Sequence, residues 1–152
     1  MQQESLEQIV SKLISLKQEG DFWDFKKEWQ TDNKKADLIK DIICFANSIH
    51  KRDCYLIFGV NDTYNITGME QKRWKQADII DLLSKLKWAE GNIPHISVKT
   101  ITLNDTLIDV LIDHNSDHVP FYLDADYKCD KFSLRQGVIY SRYKDRNTAW
   151  GE

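Results

Sequence analysis

A seven-residue apolar run, CYLIFGV at residues 54–60, constrains the fold more than any other feature of the sequence. It is continuously apolar apart from one glycine, which is typical of a central strand covered on both faces. The segment before it, residues 33–49, repeats apolar residues at helical spacing instead. The two patterns together predict a buried sheet with helices packed on it.

A first helix is indicated near the amino terminus. Ser5 and Gln8 are spaced as a capping box, in which each residue's side chain accepts the other's backbone N–H. Gly20 is expected to end the helix. The apolar residues between these points share one helical face: Leu6, Ile9, Val10, Leu13 and Ile14.

Residues 21–28 alternate between two faces, which predicts a strand. Trp23 and Phe25 point to one side, where they are expected to pack. Asp24 and Lys26 point to the other side. The strand therefore carries an acid on the face opposite its aromatic residues.

The remainder of the chain adds one helix and several strands. The expected segments are a helix at about 77–89, strands at 95–103 and 106–113 joined by a tight turn, extended pieces at 119–123 and 132–134, and a final strand at 138–143. This order predicts an α/β (α+β) fold: a single domain over residues 1–152, with a mixed sheet and about three helices packed on it.

Composition limits the function and location of the chain. The net charge of −3 means that nucleic-acid binding would require a local basic face. The polar start MQQESLEQ is not a signal peptide, and the longest apolar run is too short to cross a bilayer. Three cysteines without metal-ligand spacing indicate reduced thiols and a cytoplasmic protein without a membrane partner.

Three carboxylates are candidates for a metal site. Glu19 lies at the junction between the first helix and the first strand, Asp24 lies in that strand, and Asp62 follows the buried strand. If the two strands are neighbours, these acids could converge on Mg²⁺ or Mn²⁺, which prefer oxygen ligands. The alternative is that Asp62 is a turn residue, Asp24 a solvated strand residue and Glu19 an ordinary charge at a helix end.

A basic stripe is the second candidate. In VIYSRYKDRNTAW, the residues Tyr140, Arg142, Lys144 and Arg146 share one face if the strand persists. Cations with a neighbouring aromatic ring suit a nucleic-acid backbone and a stacked base. The alternative is an edge strand kept soluble by its charges. Other cations could extend the stripe: Lys26, Lys27, Lys34, Lys35, Lys51 and Arg52.

Other kinds of site find little support. His114 and His118 are four residues apart, but they lie in a loop-like segment, so no zinc site is expected. The sequence contains no P-loop, no dinucleotide fingerprint and no nucleophile elbow. ATP is therefore not expected as a cofactor.

Several segments in order resemble the Schlafen AlbA-type domain family: DFWDFKKEW, LIKDIICFANSIHKRDCYLIFGVNDTYNITGME, HVPFYL and GVIYSRYKDRNTAW. The resemblance covers about residues 19–148. In the nuclease members of this family, three carboxylates bind a divalent metal and the enzyme cuts transfer and ribosomal RNA. By motif position they correspond to Glu19, Asp24 and Asp62. Many bacterial members are described instead as DNA-binding or transcriptional-regulator domains.

The sequence departs from the family pattern in three places. Asp24 stands where the family usually has a longer Glu, and SIHKRD replaces a Gly-Gly pair after the Phe-Ala-Asn motif. Schlafen nucleases of vertebrates pair two such lobes, whereas this chain has one. The resemblance therefore implies a homodimer if a complete groove for nucleic acid is to form.

The sequence leaves three functions open. One is a metal-dependent endoribonuclease acting on structured RNA such as tRNA, with Glu19, Asp24 and Asp62 holding the metal and nearby Lys and Arg side chains contacting phosphates. Another is a non-catalytic DNA- or RNA-binding module of a transcriptional regulator or a defence protein. A protein-interaction domain with a solvated basic stripe is the third reading.

Overall fold

A computed structural model describes residues 3–48, 52–130 and 132–149 of the chain. Its helices are α1 (Leu6–Ser15), α2 (Lys35–Ala46) and α3 (Gln76–Ser84), with 3₁₀ turns at Asp32–Lys34 and Ala89–Gly91. Its strands are β1 (Trp23–Lys26), β2 (Cys54–Phe58), β3 (Ile96–Leu103), β4 (Thr106–Asp113), β5 (Tyr127–Cys129), β6 (Phe132–Leu134), β7 (Tyr140–Tyr143) and β8 (Arg146–Ala149).

The central sheet has four strands in the order β1-β2-β4-β3. β1 runs parallel to β2, and the other two pairings are antiparallel. The predicted mixed sheet is therefore confirmed. All five residues of β2 are buried, which agrees with the central strand expected from the apolar run.

Helices cover both faces of this sheet. On one face, α2 and α3 pack against alternate residues of β2 and β4, including Leu56, Phe58 and Leu111. On the opposite face, α1 packs against Trp23 and Phe25 of β1 and their neighbours in β2 and β4. Each buried large apolar side chain contributes about 1.5–3 kcal/mol, so the two clusters supply the main stabilisation.

Two hairpins, β5–β6 and β7–β8, contact α2. The side chain of Asn47, just after α2, forms hydrogen bonds with the backbone of two segments near these hairpins. Its Nδ2 donates to the carbonyl oxygens of Phe121 and Tyr140, both at 2.8 Å, and its Oδ1 accepts the N–H of Phe121 at 2.6 Å. The Asn of the Phe-Ala-Asn motif thus fixes where β7 begins relative to α2.

The end of α1 differs from the expectation. The Ser5–Gln8 capping box forms as predicted, but the helix ends at Ser15, five residues before Gly20. Gly20 is required for a different reason: a Cβ at this position would lie 2.3 Å from the indole ring of Trp23. It is a site of close packing, and the expectation that it caps the helix is wrong.

Two further segments differ from the expected strands. Residues 119–123 form only one isolated bridge, from Leu123 to Trp88. The expected final strand begins at Tyr140 and ends at Tyr143, where the chain reverses into β8.

Among the described residues, no helix is long and apolar enough to span a membrane.

Candidate functional site: the β1 cluster

Asp24 lies at the centre of the candidate site. The aromatic neighbours Trp23 and Phe25 pack on the α1 side of the sheet, so alternation places Asp24 on the α2 side, where it is buried. Its Oδ1 accepts the N–H of Phe25 at 2.8 Å, and its Oδ2 accepts a hydrogen bond from Nη1 of Arg142 at 3.2 Å. The predicted alternation placed Asp24 on the correct face of β1, opposite Trp23 and Phe25. The alternative that Asp24 is a solvated strand residue is wrong, because the side chain is buried.

Arg142 binds the β7–β8 hairpin to β1. Its side chain is only 2% exposed. Besides Asp24, its guanidinium donates to the carbonyl oxygens of Gly20 at 3.1 Å and Trp23 at 3.4 Å, and to Oδ1 of Asn147 at 3.2 Å. A buried charge with this many partners is a structural anchor whose removal leaves Asp24 uncompensated.

Glu19 completes a pair of carboxyl groups with Asp24. Burial is the largest influence and a hydrogen bond to the Asp24 side chain is the next, and together they raise the pKa of Glu19 to about 7. Two carboxylates hydrogen-bond directly only when they share a proton. Burial and the contact with Asp24 therefore favour the protonated form of Glu19.

A third carboxyl group, Asp41 of α2, lies on the same side of the sheet. It is 6% exposed and accepts hydrogen bonds from Nε2 of Gln30 at 2.9 Å and Nδ2 of Asn147 at 2.8 Å. Burial raises the pKa of Asp41 to about 6, although the charge of Lys26, with Nζ 4.0 Å from Oδ2, opposes the increase. Asp41 is thus a second attachment point for the hairpin.

Asp41 is not among the site residues expected from the sequence, although its position in α2 carries a signal. It lies in α2 beside the fully buried Leu38 and Ile42. A carboxylate on the apolar face of an amphipathic helix is rarely buried without partners. That position alone marks the residue as part of an internal polar network.

Lys26 is the remaining charged residue near Glu19, Asp24 and Asp41. Burial lowers its pKa, but attraction by Asp41, Asp24 and Glu19 outweighs this, so the pKa is raised overall. Lys26 stays protonated and partly balances the acids. We call Glu19, Asp24, Lys26, Asp41 and Arg142 the β1 cluster.

The sequence from residue 19 to residue 150 matches the family described as Schlafen, AlbA_2. The chain belongs to this family. A search of curated proteins gave no match. Among solved structures, the fold is similar to the solution NMR structure of the N-terminal domain of a protein from Nitrosomonas europaea that is described as related to the ATP-dependent DNA helicase RecG. The TM-score is 0.55 at 18% identity, covering 89% of this chain and 90% of that one.

In this Schlafen AlbA_2 domain, Glu19 and Asp24 come together but Asp62 does not join them. Asp62 is exposed in the turn after β2. No group of three or more His, Cys, Asp or Glu side chains in the described ranges could hold a metal ion. The register explains this arrangement: Asp24 pairs with Leu56, so Asp62 lies six residues further along the chain, beyond the end of the strand.

The predicted basic stripe is also not assembled as expected. Lys144 adopts a left-handed backbone conformation with φ of 56°. The chain reverses there, and Tyr143 pairs with Arg146 across the hairpin. Arg142 is buried against Asp24, and the Tyr140 hydroxyl accepts the N–H of residue 135. The four residues therefore do not line one face of a continuous strand.

Other cations of the Schlafen AlbA_2 domain have separate surroundings. Lys27 is exposed beside β1, and the guanidinium of Arg52 lies 3.6 Å from the ring centre of Phe22. Lys26 belongs to the β1 cluster. Lys51 lies outside the described residues.

Proposed function

We propose that this domain binds nucleic acid through the tip of the β7–β8 hairpin. The observation that carries the proposal is the exposed group formed by Tyr143, Lys144 and Arg146. Tyr143 is 57% exposed, and the ammonium of Lys144 lies 5.5 Å from its ring centre. A ring for base stacking beside two exposed cations for phosphates is the chemistry that single-stranded nucleic acid requires.

The base of the hairpin supports this role because it is fixed. Arg142 bonds to Asp24 of β1, and Asn147 bonds to Asp41 of α2. The strands are thus attached to two different elements of the core, while the tip projects its cations. A rigidly held contact group loses little conformational entropy when it binds.

The family and the structural neighbour support the same class of function. The neighbour's name refers to a DNA helicase, and bacterial members of the family are expected to bind DNA. Since the whole chain carries a net charge of −3, the attraction is expected to be local to the hairpin tip.

Fluorescence anisotropy with labelled tRNA, single-stranded DNA and duplex DNA tests this proposal. Lys144→Ala/Arg146→Ala should weaken binding at least about tenfold at 50 mM salt, because two phosphate contacts are removed. Lys85→Ala/Lys99→Ala removes two exposed lysines, one just after α3 and one in β3, and serves as the matched control. Equal affinities for the two double variants, or no binding by the native domain, would overturn the proposal.

A second candidate is metal-dependent endoribonuclease activity at Glu19, Asp24 and Asp62. Contact between the carboxyl groups of Glu19 and Asp24 favours it. As arranged, however, the three acids do not fit a common Mg²⁺ or Mn²⁺ site, because Asp62 lies apart and Asp24 is held by Arg142. The activity therefore depends on a rearrangement that brings the Asp62 turn to β1.

The nuclease test is incubation of the domain with tRNA and Mn²⁺, with and without a chelator. Asp62→Ala is the informative variant, because this side chain is exposed and its loss leaves the core intact. Metal-dependent cleavage that Asp62→Ala abolishes supports the second candidate. Cleavage that persists in Asp62→Ala removes the activity from this site.

Two further expectations belong to this proposal. We expect a homodimer to form the complete groove, which light scattering with and without an oligonucleotide would measure. We also expect a cytoplasmic location, where cysteines stay reduced.

Cys44 and Cys54 are free, and burial raises the pKa of each thiol to about 12, so both are unreactive packing residues.

A further inference from the structure

β3 is the last strand of the central sheet, and one of its two edges is unpaired. Its eight residues pair one-to-one with β4, without a bulge. Within the described ranges, no strand pairs with its other side. Helices α1 and α3 contact β3, but Lys99, Thr100 and Thr102 remain exposed. The outer side of β3 therefore presents backbone donors and acceptors to solvent.

The turn between β3 and β4 shows which backbone groups point outward. Both residues of the 104–105 turn have positive φ, 50° and 59°, as in a type I′ turn. The pair that flanks such a two-residue turn, Leu103 with Thr106, exchanges both of its hydrogen bonds. Alternate residues of an antiparallel strand point the other way. The N–H and C=O groups of Thr102 and Thr100 therefore point away from β4.

Gln76 gives an independent check of this assignment. Its Oε1 accepts the N–H of Val98 at 2.8 Å. The backbone of Val98 thus also points outward, as alternation from Thr100 requires. Because the Gln76 side chain occupies the edge at Val98, the part that remains available is residues 99–103, which we call the open edge.

The open edge lacks the features that usually prevent a strand from pairing with another chain. It contains no proline and no bulge, and its one cation is Lys99. β-branched residues, which favour strands, fill its centre: Thr100, Ile101 and Thr102. An edge of this kind is a template for a further strand.

The charges of the β3–β4 hairpin indicate which strand fits. Between residues 96 and 105 the charged residues are Lys99 and Asp105, and both are exposed. An antiparallel second copy brings Lys99 of each copy towards Asp105 of the other, and the two-fold axis repeats this contact. Opposite charges on neighbouring strands are favourable, and like charges are not. The hairpin is therefore complementary to itself.

We propose that two copies of the domain pair antiparallel along the open edge, with Ile101 of one copy opposite Ile101 of the other. In this register, Thr100 of each copy exchanges both backbone hydrogen bonds with Thr102 of the other, since these groups point outward. The two central sheets become one continuous sheet. This contact is the interface of the expected homodimer, and it does not depend on nucleic-acid binding.

The surroundings of the open edge favour this register over its neighbours. Lys99 lies opposite Leu103 and diagonal to Asp105 of the second copy, within reach of a long side chain. The strand of the second copy ends opposite Lys99, before it meets Gln76. A register with Thr100 opposite Thr100 instead extends the second strand past Val98, where the Gln76 side chain blocks it.

Sedimentation equilibrium over a dilution series tests the interface. Thr102→Pro removes an outward N–H without breaking a hydrogen bond to β4. We expect this variant to raise the dissociation constant of the dimer at least about tenfold, since one backbone hydrogen bond is lost at each end of the interface. Thr102→Val keeps the N–H, serves as the matched control and should dimerise as the native domain does.

Cysteine cross-linking tests the register. The background variant is Cys129→Ser, because Cys129 is the cysteine that is not buried. Ile101→Cys should form a disulfide between copies, because opposed residues without mutual hydrogen bonds lie about 4.5 Å apart at Cα. Lys99→Cys is the control. It is exposed, but it lies opposite Leu103 of the second copy, so it should not cross-link.

A charge exchange keeps the test decisive if Thr102→Pro or Ile101→Cys unfolds. Lys99→Glu should weaken dimerisation severalfold, because it places an acid beside Asp105 of the second copy. Lys99→Glu/Asp105→Lys should restore the native dissociation constant. Both changes lie on the surface and leave the core intact.

The outcomes separate this inference from the proposed function. A monomer at every concentration overturns the inference, and the open edge is then available to a strand of another protein. A dimer that persists in Thr102→Pro and does not cross-link through Ile101→Cys also overturns it. Dimerisation through the open edge without nucleic-acid binding supports the inference and overturns the hairpin proposal. Nucleic-acid binding by a protein that stays monomeric does the reverse.

Discussion

At the residue scale, the ion pair of Asp24 and Arg142 is the contact on which the candidate site depends. The two residues are 118 positions apart in the sequence, and both side chains are buried. Period-two alternation correctly placed Asp24 opposite the aromatic face of β1. It could not identify the partner, because alternation within one strand carries no information about distant strands.

Arg142→Met should destabilise the domain by about 3–5 kcal/mol, because it leaves the Asp24 carboxylate buried and unpaired. Asp24→Leu/Arg142→Met should lose less than the sum of the two single losses, by at least about 1 kcal/mol. Urea unfolding of the four proteins in the cycle measures the coupling. Arg146→Met, on the exposed part of the same hairpin, serves as the control and should change stability by less than about 0.5 kcal/mol. Additive losses would show that the pair is not coupled.

Asp41 should make stability depend on pH in a defined window. Its pKa is about 6 in the folded protein and 3.8 ordinarily, so the folded state binds the proton more tightly. Stability from this group is therefore present below pH 4 and is lost as pH rises to about 6. The loss is on the order of 2–3 kcal/mol.

Comparison with Asp41→Asn isolates this effect from other titrating groups. The native domain should gain on the order of 2–3 kcal/mol relative to the variant between pH 7 and pH 4. Urea unfolding at a series of pH values measures this difference. Asp37→Asn, on the same helix, controls for loss of charge in α2. Parallel curves for the native domain and Asp41→Asn would show that burial does not perturb this carboxyl group.

At the element scale, sequence patterns within a single helix or strand correctly predicted that helix or strand. The capping box of α1, the helical spacing of α2 and the apolar run of β2 all formed as expected. The reversal after β7 did not show in the sequence. Its left-handed residue is Lys144, where Gly or Asn is usual. The sequence therefore did not distinguish a strand that continues through Lys144 from a turn at this residue.

Lys144→Gly should separate folding from binding at this turn. Glycine adopts positive φ without the Cβ penalty, so the variant should keep or gain stability, by up to about 1 kcal/mol. Nucleic-acid affinity should nevertheless fall severalfold, because one phosphate contact is lost. Thermal unfolding and anisotropy on the same preparation measure both quantities. Unchanged affinity would remove Lys144 from the binding surface.

At the scale of the whole molecule, the net negative charge of the chain and the two exposed cations at the hairpin tip are expected to have opposite effects on a polyanion. The net charge of −3 is expected to repel nucleic acid at long range, whereas under the proposal Lys144 and Arg146, with Asp145 exposed between them, attract it locally. Composition predicted only that nucleic-acid binding would need a local basic face, and the structure shows which cations of the hairpin are exposed. Arg142, the first cation of the predicted stripe, is buried and contributes to folding.

The salt dependence of the binding affinity should therefore report how many phosphates one copy of the domain contacts. With two or three phosphate contacts, the plot of log affinity against log salt should have a slope near −2, or about a fifteenfold loss between 50 and 200 mM. If two copies share one strand, the contacts double and the slope should approach −4. Measurements at protein concentrations below and above dimerisation distinguish these cases. A slope near zero at every concentration would mean that phosphates are not contacted, and the hairpin tip would then be a surface for a partner other than nucleic acid.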